Sequence, residues 1–204
     1  MLAALGFRAH SGWAALVAVT EPLSAPAVVL RRRIVTADPK VAGSKQPFHA
    51  AEDWPLPKAE KYIERCSDSS HQLALAAVQA ALDELQQAGH IPIACGAIVG
   101  SGRQLPDLQR ILASHALLHA AEGEFFRNVI ATATERCKLR NVCVKERELF
   151  ERCRTELTSE NELQRHLATL GRALGPPWRQ DEKFATLAAW LALSTCRKRV
   201  GSSA

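Results

Sequence analysis

Apolar and polar positions at the start of the chain fall into three short runs. Residues 2–9 and 13–19 alternate loosely and are separated by Ala9-His10-Ser11-Gly12, a tight-turn sequence. Residues 27–36 form the third run, after a loop that carries Pro22 and Pro26. There Val29, Arg31 and Arg33 alternate imperfectly with Val28, Leu30 and Arg32, a pattern that suits the edge of a sheet. Three strands in an antiparallel meander are predicted.

Residues 37–57 then show no period, from Asp38-Pro39-Lys40 to Trp54-Pro55-Leu56-Pro57. A segment of that length without regular structure is uncommon in a compact domain and is often functional. Its centre, Gly43-Ser44-Lys45-Gln46-Pro47-Phe48-His49, places Lys45 and His49 among candidate binding residues. The alternative is a packed crossover pinned by Phe48 and Trp54.

Residues 58–89 follow a helical period through Leu73, Leu75, Val78, Leu82 and Leu85, and Gly89 suits the helix end. Ile91 to Val99 is almost continuously apolar, as in a strand covered on both faces, and Gly100-Ser101-Gly102 ends it. Residues 107–137 are helical, with Ser114 placed to restart the helix after a bend. Residues 141–144 predict a short strand, residues 145–155 a helix, and Ser159 the start of another running to about 170. Gly175-Pro176-Pro177 breaks the chain before a last helix over 181–192, with Phe184, Leu187, Ala188 and Leu191 on one face.

Composition sharpens this outline. The chain has 204 residues, 47% hydrophobic and 23% charged, which predicts one globular α/β domain over 1–195 and a flexible tail over 196–204. The net charge of +5 permits a nucleic-acid partner without requiring one. Arg31-Arg32-Arg33 and Arg197-Lys198-Arg199 are the local basic concentrations. The six cysteines show no CxxC spacing, which argues against a zinc ribbon or thioredoxin-type site. With no signal-peptide pattern and no apolar run of membrane-spanning length, a cytoplasmic protein without a membrane partner is expected.

The order of elements, β-β-β-α-β-α-β-α-α, is similar to that of the ribonuclease H-like superfamily, above all its Holliday-junction-resolvase branch. Gly6-Phe7-Arg8 stands where that branch has a first-strand Gly-x-Asp, and Gly12-Trp13-Ala14 suits the start of its second strand. Ala120-Ala121-Glu122-Gly123 resembles the small-residue helix after the fourth strand. Gln180 through Ala188 is placed like the C-terminal Asp-x-x-Asp-Ala-Leu-Ala helix. The resemblance implies a ribonuclease H-like mixed sheet and, in functional members, acidic residues that hold two divalent metals against a phosphodiester. Asp181 keeps an acid at the helical position, with Glu182 beside it. Arg8 replaces the first-strand acid, and Val99-Gly100-Ser101 offers none. A permanently charged guanidinium repels Mg²⁺ and pairs instead with Asp181 or Glu122. The topology implies that Arg8, His10, Glu122 and Asp181 converge on one pocket, with His115 or His119 near its wall.

A second constellation is Ser114-His115-x-x-x-His119-x-x-Glu122, in which His115, His119 and Glu122 share one helix face. Two histidines four apart can hold one zinc ion. Glu122 stands roughly 10 Å along the axis from His115, so a metal here needs a further ligand such as Asp181 or His10. The structural alternative pairs Glu122 with Arg8 or Arg127. Arg179, at the start of the last helix, is a candidate anion contact. Three readings therefore stand open, with a divalent metal admitted but unidentified. One is a phosphate- or nucleic-acid-related protein with a rewired, degenerate metal site. Another is a metal-dependent hydrolase using Glu122, Asp181, His10 and other histidines. The third is a non-catalytic scaffold or interaction module.

Overall fold

Period-two alternation makes the first strands two-faced, and both faces are covered. The computed structural model describes every residue except 101, 103 and 202–204, and only the backbone of 198–201. Strands β1 (Leu2–His10), β2 (Trp13–Thr20) and β3 (Ala27–Val35) form the expected antiparallel meander. Strand β4 (Ile91–Val99) lies parallel to β1, and β5 (Arg140–Lys145) parallel to β4. The sheet order is β3-β2-β1-β4-β5, so β1 is central. Ser11 and Gly12 make the β1–β2 turn, with Gly12 at φ +80°, a conformation glycine adopts without cost.

Helices fill two layers. On one side α2 (Leu56–Gln87) and α4 (His115–Arg136) pack on Leu5, Phe7, Leu16 and Cys95 through Val78, Leu85, Val129 and Ile130. On the other, α5 (Leu149–Glu156), α6 (Glu160–Leu174) and α7 (Gln180–Gly201) pack on Ala4, Val17, Val19, Ala94 and Val142. A single turn of 3-10 helix over Glu146–Glu148 leads into α5.

Helix α7 is the centre of its layer. From Phe184 to Leu193 no residue is more than 8% exposed, so this stretch is buried all round, its one polar side chain, Thr186, donating to the Glu182 carbonyl. It can lie this close because two glycines paired across β1 and β4, Gly6 and Gly96, leave a groove. A Cβ on Gly6 would sit 1.9 Å from the Ala185 carbonyl oxygen, and one on Gly96 2.0 Å from that of Ala188.

The expected elements are present, with differences that tertiary contacts explain. The irregular segment contains a short helix, α1 (Pro47–Ala50), and packs as a crossover. Phe48 meets Phe125 edge-on at 6.0 Å and Trp54 meets Tyr62 at 5.0 Å. Residues 107–137 hold two helices, α3 (Leu108–Leu112) and α4, with the restart at Ser114 as the sequence indicates. Helix α7 passes the expected domain end at 195. Cys196 is buried and Arg197 pairs with Glu21, which hold these turns against the body. Residues 202–204 of the expected tail lie outside the described residues.

The Gly6–Gly96 groove makes a direct prediction. Gly6→Ala or Gly96→Ala pushes a methyl into rigid backbone, so the cost lies at or above the top of the usual overpacking range, about 3 kcal/mol. Gly123→Ala, whose added methyl meets only the mobile end of Arg127, is the control and gains helix propensity instead. Urea unfolding of the three variants measures both effects.

Candidate functional site

Parallel strands β1, β4 and β5 end on the same side of the sheet, where side chains from several elements converge. Alternation sends Ala4, Gly6 and Arg8 toward α7, and Leu5 and Phe7 toward α2 and α4. Arg8 therefore meets the first turn of α7. Its Nη1 donates to Asp181 Oδ1 at 2.8 Å and its Nη2 to Glu146 Oε1 at 2.9 Å. The guanidinium lies 4.6 Å from the centre of the Phe184 ring. His10 Nε2 donates to the same Asp181 oxygen at 2.8 Å. Arg8 thus bridges two carboxylates in a half-buried setting, its side chain 13% exposed. Charge-assisted bonds of this kind are short and stronger than neutral ones.

The network continues through rings. His10 stacks on Trp13 with centroids 4.4 Å apart and planes 14° from parallel. The Arg33 guanidinium lies 3.9 Å from the Trp13 ring centre. Trp13, Arg31, Arg33, Pro177, Arg179 and Asp181 line a cavity of about 440 Å³ beside the bridge. Glu182 also lines this cavity and caps α7, accepting the Arg179 N–H at 2.7 Å. Arg179 itself is exposed at the mouth of this cavity.

Glu122 does not join this group, contrary to the expected single pocket. Helix α4 packs on the Leu5 and Phe7 face of the sheet, so Glu122 belongs to the layer opposite Asp181. It pairs with neither Arg8 nor Arg127; Arg127 bonds Glu124 instead. Glu122 is 2% exposed, and its Oε1 accepts the backbone N–H groups of Phe48 (3.1 Å) and His49 (3.2 Å) and the ring Nδ1–H of His49 (3.1 Å). His115 and His119 sit beside His49, not beside Asp181 or His10 as a metal in the first pocket would need. Their Nε2 atoms are 3.1 Å apart, and the His49 ring centre lies 4.7 Å from that of His119. Among the described residues, His49, His115 and His119 are the one group of three whose potential metal-binding atoms all lie within 4.8 Å.

The basic strand is not a continuous patch. Arg31 caps the end of α6, donating to the carbonyls of Leu174, Gly175 and Pro177. Arg32 points to the other face and pairs with Glu84 of α2. Only Arg33 remains exposed, over Trp13. Lys45 is exposed and packs against the Gly12 turn, and with Gln46 and His49 it borders a separate cavity of about 470 Å³.

Cys66, Cys95, Cys137, Cys143 and Cys153 are free thiols. Burial pushes Cys95 and Cys153 up to about 12 and raises the other three as well, so none is poised as a nucleophile.

Two participants carry little trace in the sequence. Glu146 reaches Arg8 across 138 positions, and its one signal is that it follows the last residue of a parallel strand. Trp13, which links His10 to Arg33, reads in the sequence only as a strand start.

No family model matches the chain, and no curated protein matches it. Solved structures do. A structure described as T. thermophilus RuvC in complex with Holliday junction substrate is 11% identical, with a TM-score of 0.55 over 97% of this chain and 96% of that one. A second Thermus thermophilus RuvC structure has a TM-score of 0.53 at the same identity and coverage. At this identity the likeness is one of fold: a five-stranded mixed sheet covered on both faces, in distant resemblance to the ribonuclease H-like architecture of these structures.

Proposed function

We propose that this protein binds nucleic acid at the C-terminal end of its sheet and does not cleave it by the two-metal route. The observation that carries the reading is the Arg8 bridge between Asp181 and Glu146. Two-metal catalysis needs hard oxygens arranged in near-octahedral cages. Here the group is one guanidinium, one imidazole and two carboxylates whose inward oxygens already bind Arg8. That set does not fit a pair of divalent ions. Arg8 takes the place of an ion and offsets the two carboxylates, and the cationic groups for a polyanion are those around the bridge. Arg33 and Arg179 are exposed donors for phosphate, and Arg33 is held over the Trp13 ring, on which His10 stacks in turn. The net charge of +5 and a pI near 9.0 favour a polyanion.

The hydrolase reading that joins Glu122 to Asp181 loses its basis, because the two lie in opposite helix layers. Among the described residues no helix is long and apolar enough to cross a membrane. The free thiols suit a reducing compartment such as the cytoplasm. A pure scaffold role makes the opposite binding prediction: no affinity for DNA even at low salt.

Three outcomes follow. Wild-type protein incubated with four-way junction or duplex DNA and Mg²⁺ or Mn²⁺ yields no cleavage on a denaturing gel; metal-dependent cutting that Asp181→Asn abolishes overturns the reading. Fluorescence anisotropy gives an affinity that falls steeply with salt, and Arg33→Gln and Arg179→Gln each lower the log–log slope by about 1. Arg8→Asp groups three carboxylates, so its melting temperature rises on adding Mg²⁺ while that of the wild type stays unchanged.

A further inference from the structure

We infer that His49, His115 and His119 form a binding site for one divalent transition metal ion of the Zn²⁺ class, with Glu122 as the carboxylate that orients His49. This site lies in the helix layer opposite Arg8 and stands independently of nucleic-acid binding.

The spacing fits the ion. Zinc–nitrogen bonds of about 2.0–2.1 Å at tetrahedral angles hold neighbouring ligand nitrogens about 3.3 Å apart. The Nε2 atoms of His115 and His119 are 3.1 Å apart before any adjustment. All three potential ligand atoms fall within 4.8 Å of one another, and the exposed His115 and His119 rings are the ones free to adjust toward His49. His115 and His119 stand at i and i+4 of one helix, and α1 brings His49 over them from a different element.

The protonation pattern also fits. Glu122 accepts the Nδ1–H of His49 at 3.1 Å, which leaves the Nε2 lone pair of His49 free to bind. Metal-bound histidines characteristically donate their second nitrogen to a carboxylate in this way. That Nε2 is buried and has no hydrogen-bond partner in the protein, and Glu122 Oε2 is likewise buried without one. Buried polar atoms without partners are costly. An ion gives His49 Nε2 its partner and sets a positive charge near the buried carboxylate.

Nitrogen ligands select the ion class. Imidazole suits zinc, cobalt, nickel or copper, whereas Mg²⁺ and Ca²⁺ require oxygen. Three histidines leave a fourth tetrahedral position, and with His115 and His119 exposed it faces water. Sites of this form keep an exchangeable water, unlike closed structural sites with four protein ligands. The cavity of about 470 Å³ bordered by His49, Lys45 and Gln46 gives small molecules room on the flank of His49.

The test uses the full-length, tag-free chain stripped with EDTA. Titration with Co²⁺ should give a visible d–d absorption that saturates at one ion per chain and vanishes on adding Zn²⁺. In competition with a chromophoric chelator, Glu122→Gln should lower Zn²⁺ affinity by about 10–100-fold, and His115→Ala and His119→Ala by more. Both histidines are exposed, so these variants keep the wild-type far-UV circular dichroism, and Asp181→Asn keeps wild-type affinity. Absence of saturable Co²⁺ binding, or a titration unchanged in the His115→Ala/His119→Ala double variant, overturns the site. A strong near-ultraviolet sulfur-to-cobalt band also overturns it, since the ion would then sit on the cysteines.

Discussion

Close contact between α7 and the paired glycines of β1 and β4 is the constraint on which the rest of the structure depends. Gly6 and Gly96 face each other in the parallel register, and the Ala185 and Ala188 carbonyls lie where their Cβ atoms would be. Small residues on both sides let the helix backbone touch the sheet backbone. This buries Leu187, Trp190, Leu191 and Leu193 almost completely and fixes the helix along its axis. The position of the first turn then follows. Asp181 stands less than one turn before Phe184, whose ring lies against Arg8, so a helix held at Gly6 must bring Asp181 to Arg8.

The Arg8 cluster is an electrostatic solution to a crowded place. Strand ends, a helix N-terminus and the turn after β5 bring Asp181 and Glu146 together, and two carboxylates at close range repel. Arg8 separates them with a planar fork that bonds one carboxylate on each arm. His10 donates to Asp181 as well. Removing one partner of such a half-buried group leaves the others uncompensated, which costs more than the pair contributes when intact. Shared architecture carries no shared chemistry by itself.

The two helix layers hold chemically unlike groups. The α7 side carries the Arg8 ion pairs and the Arg33–Trp13–His10 stack. The α4 side carries three imidazoles and a buried carboxylate. Between them runs a sheet whose odd and even positions face different layers, so the groups in one layer do not mix with those in the other.

The sequence by itself determined the succession of elements, the meander and the covered strand at 91–99, and, through the resemblance in element order, the neighbourhood of Arg8 and Asp181. Apolar periodicity sets strands and helices, because each element must turn its apolar face to the core. Tertiary structure alone decided which side chains meet. His49 reaches Glu122 across 73 positions and Glu146 reaches Arg8 across 138, and no local period encodes either meeting. Arg31, Arg32 and Arg33 look like one patch in the sequence, yet strand alternation at the sheet edge sends them to the end of α6, to Glu84 and to Trp13. Glu122 and Asp181 are parted because α4 and α7 cover opposite faces of the sheet, and only the packed layers fix which face each helix covers.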